Sequence, residues 1–305
     1  MPYRVKPDEQ LGAGLRRCAA EEIASAIDQL GDGYKADQVA AVHEARKSLK
    51  KIRALLRLVR PGLAQDVYRR EMDAMRSAGQ ALSASRDADV VIAAFDGLRR
   101  SFTGQAPGEV VKEARAGLAA ERRVARKHAG VGAVVETRDA LQQALERVPG
   151  WGISDDAWGA AQAGVRRAYE RGQAAFELAL EEPTVEHLHD WRKRVKDLWY
   201  HQRLLEPLWP ATMEAQAEHA HRLSELLGDD HDLAVLHEKL AASPQAPQLD
   251  GMLAIVDQRR ADLQREAWPL GRRIYAERPK AFVRRLDRWR RAWEAERAAA
   301  TLAPV

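Results

Sequence analysis

Two stretches of the sequence set a histidine and a series of basic residues at helical spacing. In the first, His43 leads Arg46, Lys47, Lys50, Arg53 and Arg57; in the second, His189 leads Arg192, Lys193, Lys196 and Arg203. An α-helix turns about 100° per residue, so the first set shares an arc of about 120°. Val42, Ala45, Leu49, Ile52, Leu55, Leu56 and Val59 occupy the opposite side, which makes a helix with one apolar and one cationic face. In the second stretch Leu188, Trp191, Val195, Leu198 and Leu205 turn inward, and Trp199 and Tyr200 join the rim. A merely solvated helix face usually alternates its charges, gaining about 0.2–0.5 kcal/mol per i,i+4 pair. Here Arg46 precedes Lys50 and Arg53 precedes Arg57 at that spacing, so the pairs repel. Such a face suits an anion, because guanidinium presents a planar fork to phosphate oxygens and ammonium a point charge. Two rows suit a long polyanion: inorganic polyphosphate, nucleic acid or an acidic protein tail. Reading single-stranded bases calls for aromatics interleaved with the cations. The first stripe has none, and Trp199 and Tyr200 read as packing residues, which favours a polymer without bases.

The stripes recur because the chain repeats itself. A shift of 146 (189 − 43) sets His43 on His189, Arg46 on Arg192, Lys47 on Lys193, Lys50 on Lys196, Arg57 on Arg203 and Pro61 on Pro207. Downstream, a shift of 145 sets Leu82 on Leu227, Asp87 on Asp232 and Val90 on Val235; upstream, a shift of 150 sets Gly14-Leu15-Arg16-Arg17 on Gly164-Val165-Arg166-Arg167. The differences read as loop insertions in a tandem duplication of a unit of about 150 residues. Good helix formers dominate, and β-branched residues never alternate with polar ones over a strand length. Breakers such as Pro61-Gly62, Pro149-Gly150, Pro183, Pro207 and Pro279 separate helices predicted near 8–30, 37–60, 64–100, 108–128, 131–147, 155–181, 184–205, 211–241, 247–276 and 279–297. The expected fold is all-α: two pseudo-twofold-related antiparallel helical bundles, residues 8–150 and 151–298, around a basic central groove or pore.

Composition narrows the function classes. The 305 residues carry 49 Lys and Arg against 45 Asp and Glu, a net +4. Residues 42–60 alone hold seven basic residues and one acid, or +6, leaving −2 for the rest. That contrast implies a localised anion site rather than a generally adhesive surface. The longest apolar run, Val90 to Phe95, is far short of the roughly 20 residues that cross a membrane, and residues 1–10 lack a signal-peptide apolar region. The single cysteine, Cys18, excludes an internal disulfide and a multi-cysteine zinc site and suits a reducing cytoplasm.

The repeated His-x-x-Arg-Lys-x-x-Lys pattern, with a Leu-x-x-x-x-Asp-x-x-Val segment after it in each half, resembles the CHAD domain, the conserved-histidine α-helical domain. Residues 185–210 (VEHLHDWRKRVKDLWYHQRLLEPLWP), 164–184 and 227–236 (LGDDHDLAVL), with 82–91 as the first-half counterpart of the last, carry the resemblance, which runs from about Gly14 to Trp293. It implies a stand-alone, non-enzymatic protein of two helical bundles that needs no cofactor. The implied activity is binding of inorganic polyphosphate, with localisation to polyphosphate granules and possible granule-protein partners. The ligand contacts it implies are His43, Arg46, Lys47, Lys50, Arg53 and Arg57 with His189, Arg192, Lys193, Lys196 and Arg203. Ser48 opposes Arg194, Arg53 opposes Trp199, and Gln173 follows Gly172 where many relatives are basic, so the halves need not contact the ligand equally.

Other residues bear on the same question. Arg16, Arg17, Arg166, Arg167 and Arg171 recur before each stripe and either extend the site or solvate a helix. Arg86 and His231 flank Asp87 and Asp232, which read as orienters of cations or helix caps rather than as catalysts. His187, His189, His219, His221 and His231 invite comparison with an all-α, metal-dependent phosphohydrolase, but first-half partners are missing, and no metal site is expected. The tail from Arg272 to Arg297 is basic, with Trp289 and Trp293 one turn apart.

Overall fold

The computed structural model describes residues 3–82, 84–102, 104, 106–128 and 131–302, with side chains at all of these except 84–87, 125–128, 131 and 300–302. Among the described residues the chain is helical, without strands. Eleven helices follow one another: α1 (Leu11–Asp28), α2 (Gln38–Val59), α3 (Gln65–Ala81), α4 (Ala84–Leu98), α5 (Gly108–His128), α6 (Val131–Arg147), α7 (Trp158–Glu181), α8 (Val185–Leu204), α9 (Pro210–Ala241), α10 (Asp250–Ile274) and α11 (Pro279–Leu302). Most fall where breakers and periodicity put them. The exception is the single helix expected over 64–100, which is two. Leu82 leaves helical geometry, with ψ 5° and its N–H turned back to the Gln80 carbonyl. The corresponding stretch after α8 is one helix of 32 residues, α9.

The two stripe helices start on different caps. Asp37, in extended backbone, accepts from the N–H groups of Val39 and Ala40 at 2.9 and 3.1 Å. Thr184 accepts from the His187 N–H at 3.2 Å. Each satisfies a donor that the first turn cannot pair internally.

Every residue assigned inward on the stripe helices is buried: none of Val42, Ala45, Leu49, Ile52, Leu55, Leu56 and Val59, nor of Leu188, Trp191, Val195, Leu198 and Leu205, exceeds 7% exposure. The last turns of α2 go further. Ala54, Leu55, Leu56, Leu58 and Val59 face all directions and are all buried, as expected of a helix end surrounded by other helices. α7 and α8 both pack on it. The His201 imidazole of α8 sets Nε2 2.9 Å from the Ala54 carbonyl. α7 approaches so closely at Gly164 that a Cβ there would lie 1.9 Å from the Leu58 carbonyl oxygen, so only glycine fits. The segment before α1 also joins the two helices. The Tyr3 hydroxyl donates to the Lys51 carbonyl at 2.6 Å, the Val5 N–H donates to the Leu204 carbonyl at 3.2 Å, and the Tyr3 ring meets the edge of Tyr200.

Candidate anion-binding site

The first stripe divides into an open and a covered part. His43, Lys47 and Lys50 are exposed, whereas Arg46, Arg53 and Arg57 are partly buried. α7 and α8 cover the last turns of α2 at Leu58 and Ala54, beside Arg53 and Arg57. Glu44 accompanies the open end, 3.4 Å from Lys47 and 3.8 Å from His43. Arg46 donates to the Gly79 carbonyl of α3 at 2.6 Å, which holds its guanidinium against that helix. Arg46, Lys50, Arg53 and Arg76 line one pocket with Leu49, Gly79 and Gln80. Burial, then the charge of Arg57 and those of Arg76 and Arg46, lowers the pKa of Arg53, against the pull of Asp197. Arg57 reaches across to α8, where it pairs with Asp197 at 2.9 Å.

The second stripe meets the first at Lys196. Burial, then the charges of Lys50 and Arg192, pulls its ammonium down to about 7, against the attraction of Asp232 and Glu225. The His189 ring stacks on His231 of α9, with centroids 4.1 Å apart. Burial, then His231, Lys193 and Arg192, lowers His189 to about 4, so it is neutral at pH 7. Arg192 lies on the backbone of α9, where a Cβ at Gly228 would come within 2.8 Å of its Nη2. Lys193 is exposed. Nε of Arg53, Nε of Arg192 and Nδ1 of His189 are buried with no hydrogen-bond partner among the described residues. Such orphaned buried polar atoms typically cost about 1–3 kcal/mol each.

The remaining candidates are held in different ways. Arg16 bonds the Ile153 carbonyl and pairs with Asp155 at 2.6 Å, so it ties α1 to the segment before α7. Arg17 pairs with Glu9 and Glu21 and donates to the Arg4 carbonyl. Arg166 pairs with Glu170 at 2.7 Å, and Arg167 is exposed. Arg203 is partly buried beside Tyr3 and Tyr200. Arg171, its pKa lowered first by burial and then by Arg194, belongs with Arg57 and Arg194 around Asp197. The side chains of Arg86 and Asp87 lie outside the described residues. Among the described residues no three His, Cys, Asp or Glu side chains gather as metal ligands would.

Sequence reasoning missed Arg76 and Asp197. The shift of 146 sets Arg76 on Arg222, a signal that was available. Nothing comparable marked Asp197, whose counterpart at that shift is Lys51. Lys51 is itself engaged elsewhere, donating at 2.6 Å to Glu22, which also accepts from Ser48. Tyr200, placed at the rim, is buried, and Trp199 stacks on Tyr200 and His221.

The arrangement defines an all-helical protein with cations gathered where two of its helices approach. Residues 18–241 match the family model of the CHAD domain, and the chain belongs to that family. It is also similar in structure to the CHAD domain from the plant Ricinus communis, with TM-score 0.59 and 18% identity over 92% of this chain and 96% of that one. No match was found among curated proteins.

Proposed function

We propose that this protein binds inorganic polyphosphate, without catalysis, along a groove between its two basic stripes. The observation that carries the reading is the depressed Lys196 ammonium, lowered first by burial and then by the charges of Lys50 and Arg192. Cations of the two halves are near enough to repel one another in a partly buried setting, and an anion lying between them would relieve that repulsion. Orphaned buried nitrogens on Arg53, Arg192 and His189 point to the same need. The polymer is one without bases, because Tyr200 is buried and Trp199 is stacked within the fold, which leaves no aromatic platform on either stripe.

In this reading residues 8–150 and 151–298 are pseudo-twofold halves of one unit. Their contacts are His43, Arg46, Lys47, Lys50 and Arg53 with His189, Arg192, Lys193 and Lys196, and Arg76 joins them. Arg57 and Arg203 act chiefly at the junction of α2 and α8. The biological setting is the polyphosphate granule, to which such binding would bring the protein. The test is calorimetric titration with long-chain polyphosphate, beside a variant with Arg46, Lys50, Arg192 and Lys196 changed to Ala and an oligonucleotide of equal charge. Polyphosphate binding lost in the variant is expected. Equal binding of the oligonucleotide would demote the ligand to generic polyanion, and no binding at all would refute the reading.

A further inference from the structure

The basic helix α11 stands beside an aromatic platform of the kind both stripes lack. Among the described residues Trp209 is the one exposed aromatic ring, with 50% of its surface in solvent. It lies between the short turn Glu206–Leu208 and the start of α9, and α11 packs on that turn. Its backbone is fixed on both sides: its N–H donates to the Glu206 carbonyl at 3.2 Å, and its carbonyl accepts from the Met213 N–H at 2.9 Å. The ring meets Trp289 of α11 at 85°, with centroids 5.0 Å apart, and the Arg285 guanidinium sits 4.5 Å from the Trp289 centroid. Trp209 is therefore a held ring with an open surface.

Next to the Arg285–Trp289 row of α11 runs a second row at i,i+4 spacing, Lys280, Arg284 and Arg288. All three are exposed, and none pairs with an acid among the described residues. Neighbours in this row are about 6 Å apart along the helix axis, a spacing that successive phosphates of an extended single strand can match. A membrane surface would require an apolar helix face to enter it, whereas Phe282, Val283 and Leu286 of α11 are buried in the fold. A neutral proline-rich peptide would use the ring and leave the cations idle. A polyanion that carries flat bases uses both.

We propose that this face is a second binding site, for single-stranded nucleic acid, in which a base stacks on Trp209 while Lys280, Arg284 and Arg288 follow the phosphates. Stacking reads no base edge, so the site tolerates any sequence. It shares no residue with the stripes and does not rest on the polyphosphate reading. With one ring and three cations it holds a strand more weakly than the stripes hold polyphosphate.

The experiment follows a fluorescein-labelled oligothymidylate of about 16 nucleotides by anisotropy at low salt. The proteins are the wild type, Trp209→Ala, the double variant Arg284→Ala with Arg288→Ala, and the variant with Arg46, Lys50, Arg192 and Lys196 changed to Ala. A strand of equal length and charge without bases is run on the wild type, so one arm needs no altered protein. Trp209→Ala is expected to weaken binding about five- to hundredfold, and removal of the bases to weaken it on the wild type by a similar factor. The double arginine variant should lower the slope of log K against log salt by about 1.4. The four stripe substitutions should leave strand binding largely intact while removing polyphosphate binding. Equal affinity for the two strands, with no effect of Trp209→Ala, would overturn the base platform. Loss of the strand only with the four stripe substitutions would place it in the stripes and overturn the second site. No strand binding would also overturn it and leave the polyphosphate reading standing, and Trp209-dependent binding to phosphatidylserine–phosphatidylcholine vesicles in that case would make the face a membrane contact.

Discussion

Raising the pH should loosen a polyanion from this protein, and Lys196 sets by how much. Its ammonium titrates at about 7 in the free protein. Phosphates beside it would return it toward the ordinary value near 10.4. A group whose pKa rises on binding favours the complex most below its free value and loses that advantage as pH climbs to its bound value. With full restoration, affinity falls by about 50-fold between about pH 7 and 9; with a bound value of about 8.5, it falls about tenfold. At about pH 8 the free amine is roughly one-tenth protonated, so full restoration takes up about 0.9 proton per binding event. His189 adds a second, acid window. Free at about 4, it gains charge on binding as pH falls from about 6.5. The assay is calorimetry in HEPES and Tris buffers, whose different ionisation heats report the protons taken up. A long chain keeps the titration of its end phosphates, near 6, a small contribution. Lys196→Arg, which stays charged, should abolish the uptake at pH 8 while retaining binding. Identical heats in the two buffers, with affinity flat from about pH 7 to 9, would falsify the placement of Lys196 against the ligand.

Four further outcomes follow from particular contacts. Removing the desolvated, repelled amine in Lys196→Met should raise the melting temperature while weakening polyphosphate binding, a stability gain of up to about 4 kcal/mol near pH 7. Gly228→Ala should push the Arg192 guanidinium aside and lower affinity about three- to tenfold in calorimetry, with little change in melting temperature. Asp197→Asn leaves Arg57 without its carboxylate and should cost about 1–3 kcal/mol in urea unfolding, yet not weaken polyanion binding, since the residue lost is an acid. Affinity should fall with salt by about 0.7 in log K per log salt for each phosphate neutralised, and Arg76→Ala should reduce that slope by about one such step.

Fold class and helix positions were legible in the sequence because they rest on periodicity and on proline and glycine breaks, which are local. The break at Leu82 was not, since a helix-forming stretch continues across it and its counterpart in α9 is unbroken. The cationic face of α2 could be read from spacing alone. Which of its members meet solvent could not, because that depends on α7 and α8 closing over Ala54 and Leu58, residues far away in the chain. Asp197 shows the same limit. An acid on a basic helix gives no sign in sequence that it will meet Arg57 of another helix. Arg76 lay within reach through its match to Arg222, but only once the repeat was carried past the stripes.

The strap of Tyr3 and Val5 carries a consequence for biosynthesis. Its partners on α8, Tyr200 and Leu204, are made about 200 residues later. At ribosomal speeds of about 5–20 residues per second, that is a wait of about 10–40 s. Through that interval two residues destined for the interior have only part of their final surroundings. The helices made first must tolerate the delay in a nascent form, and a chaperone that shields this strap during translation would act at the step where α8 is still to be made.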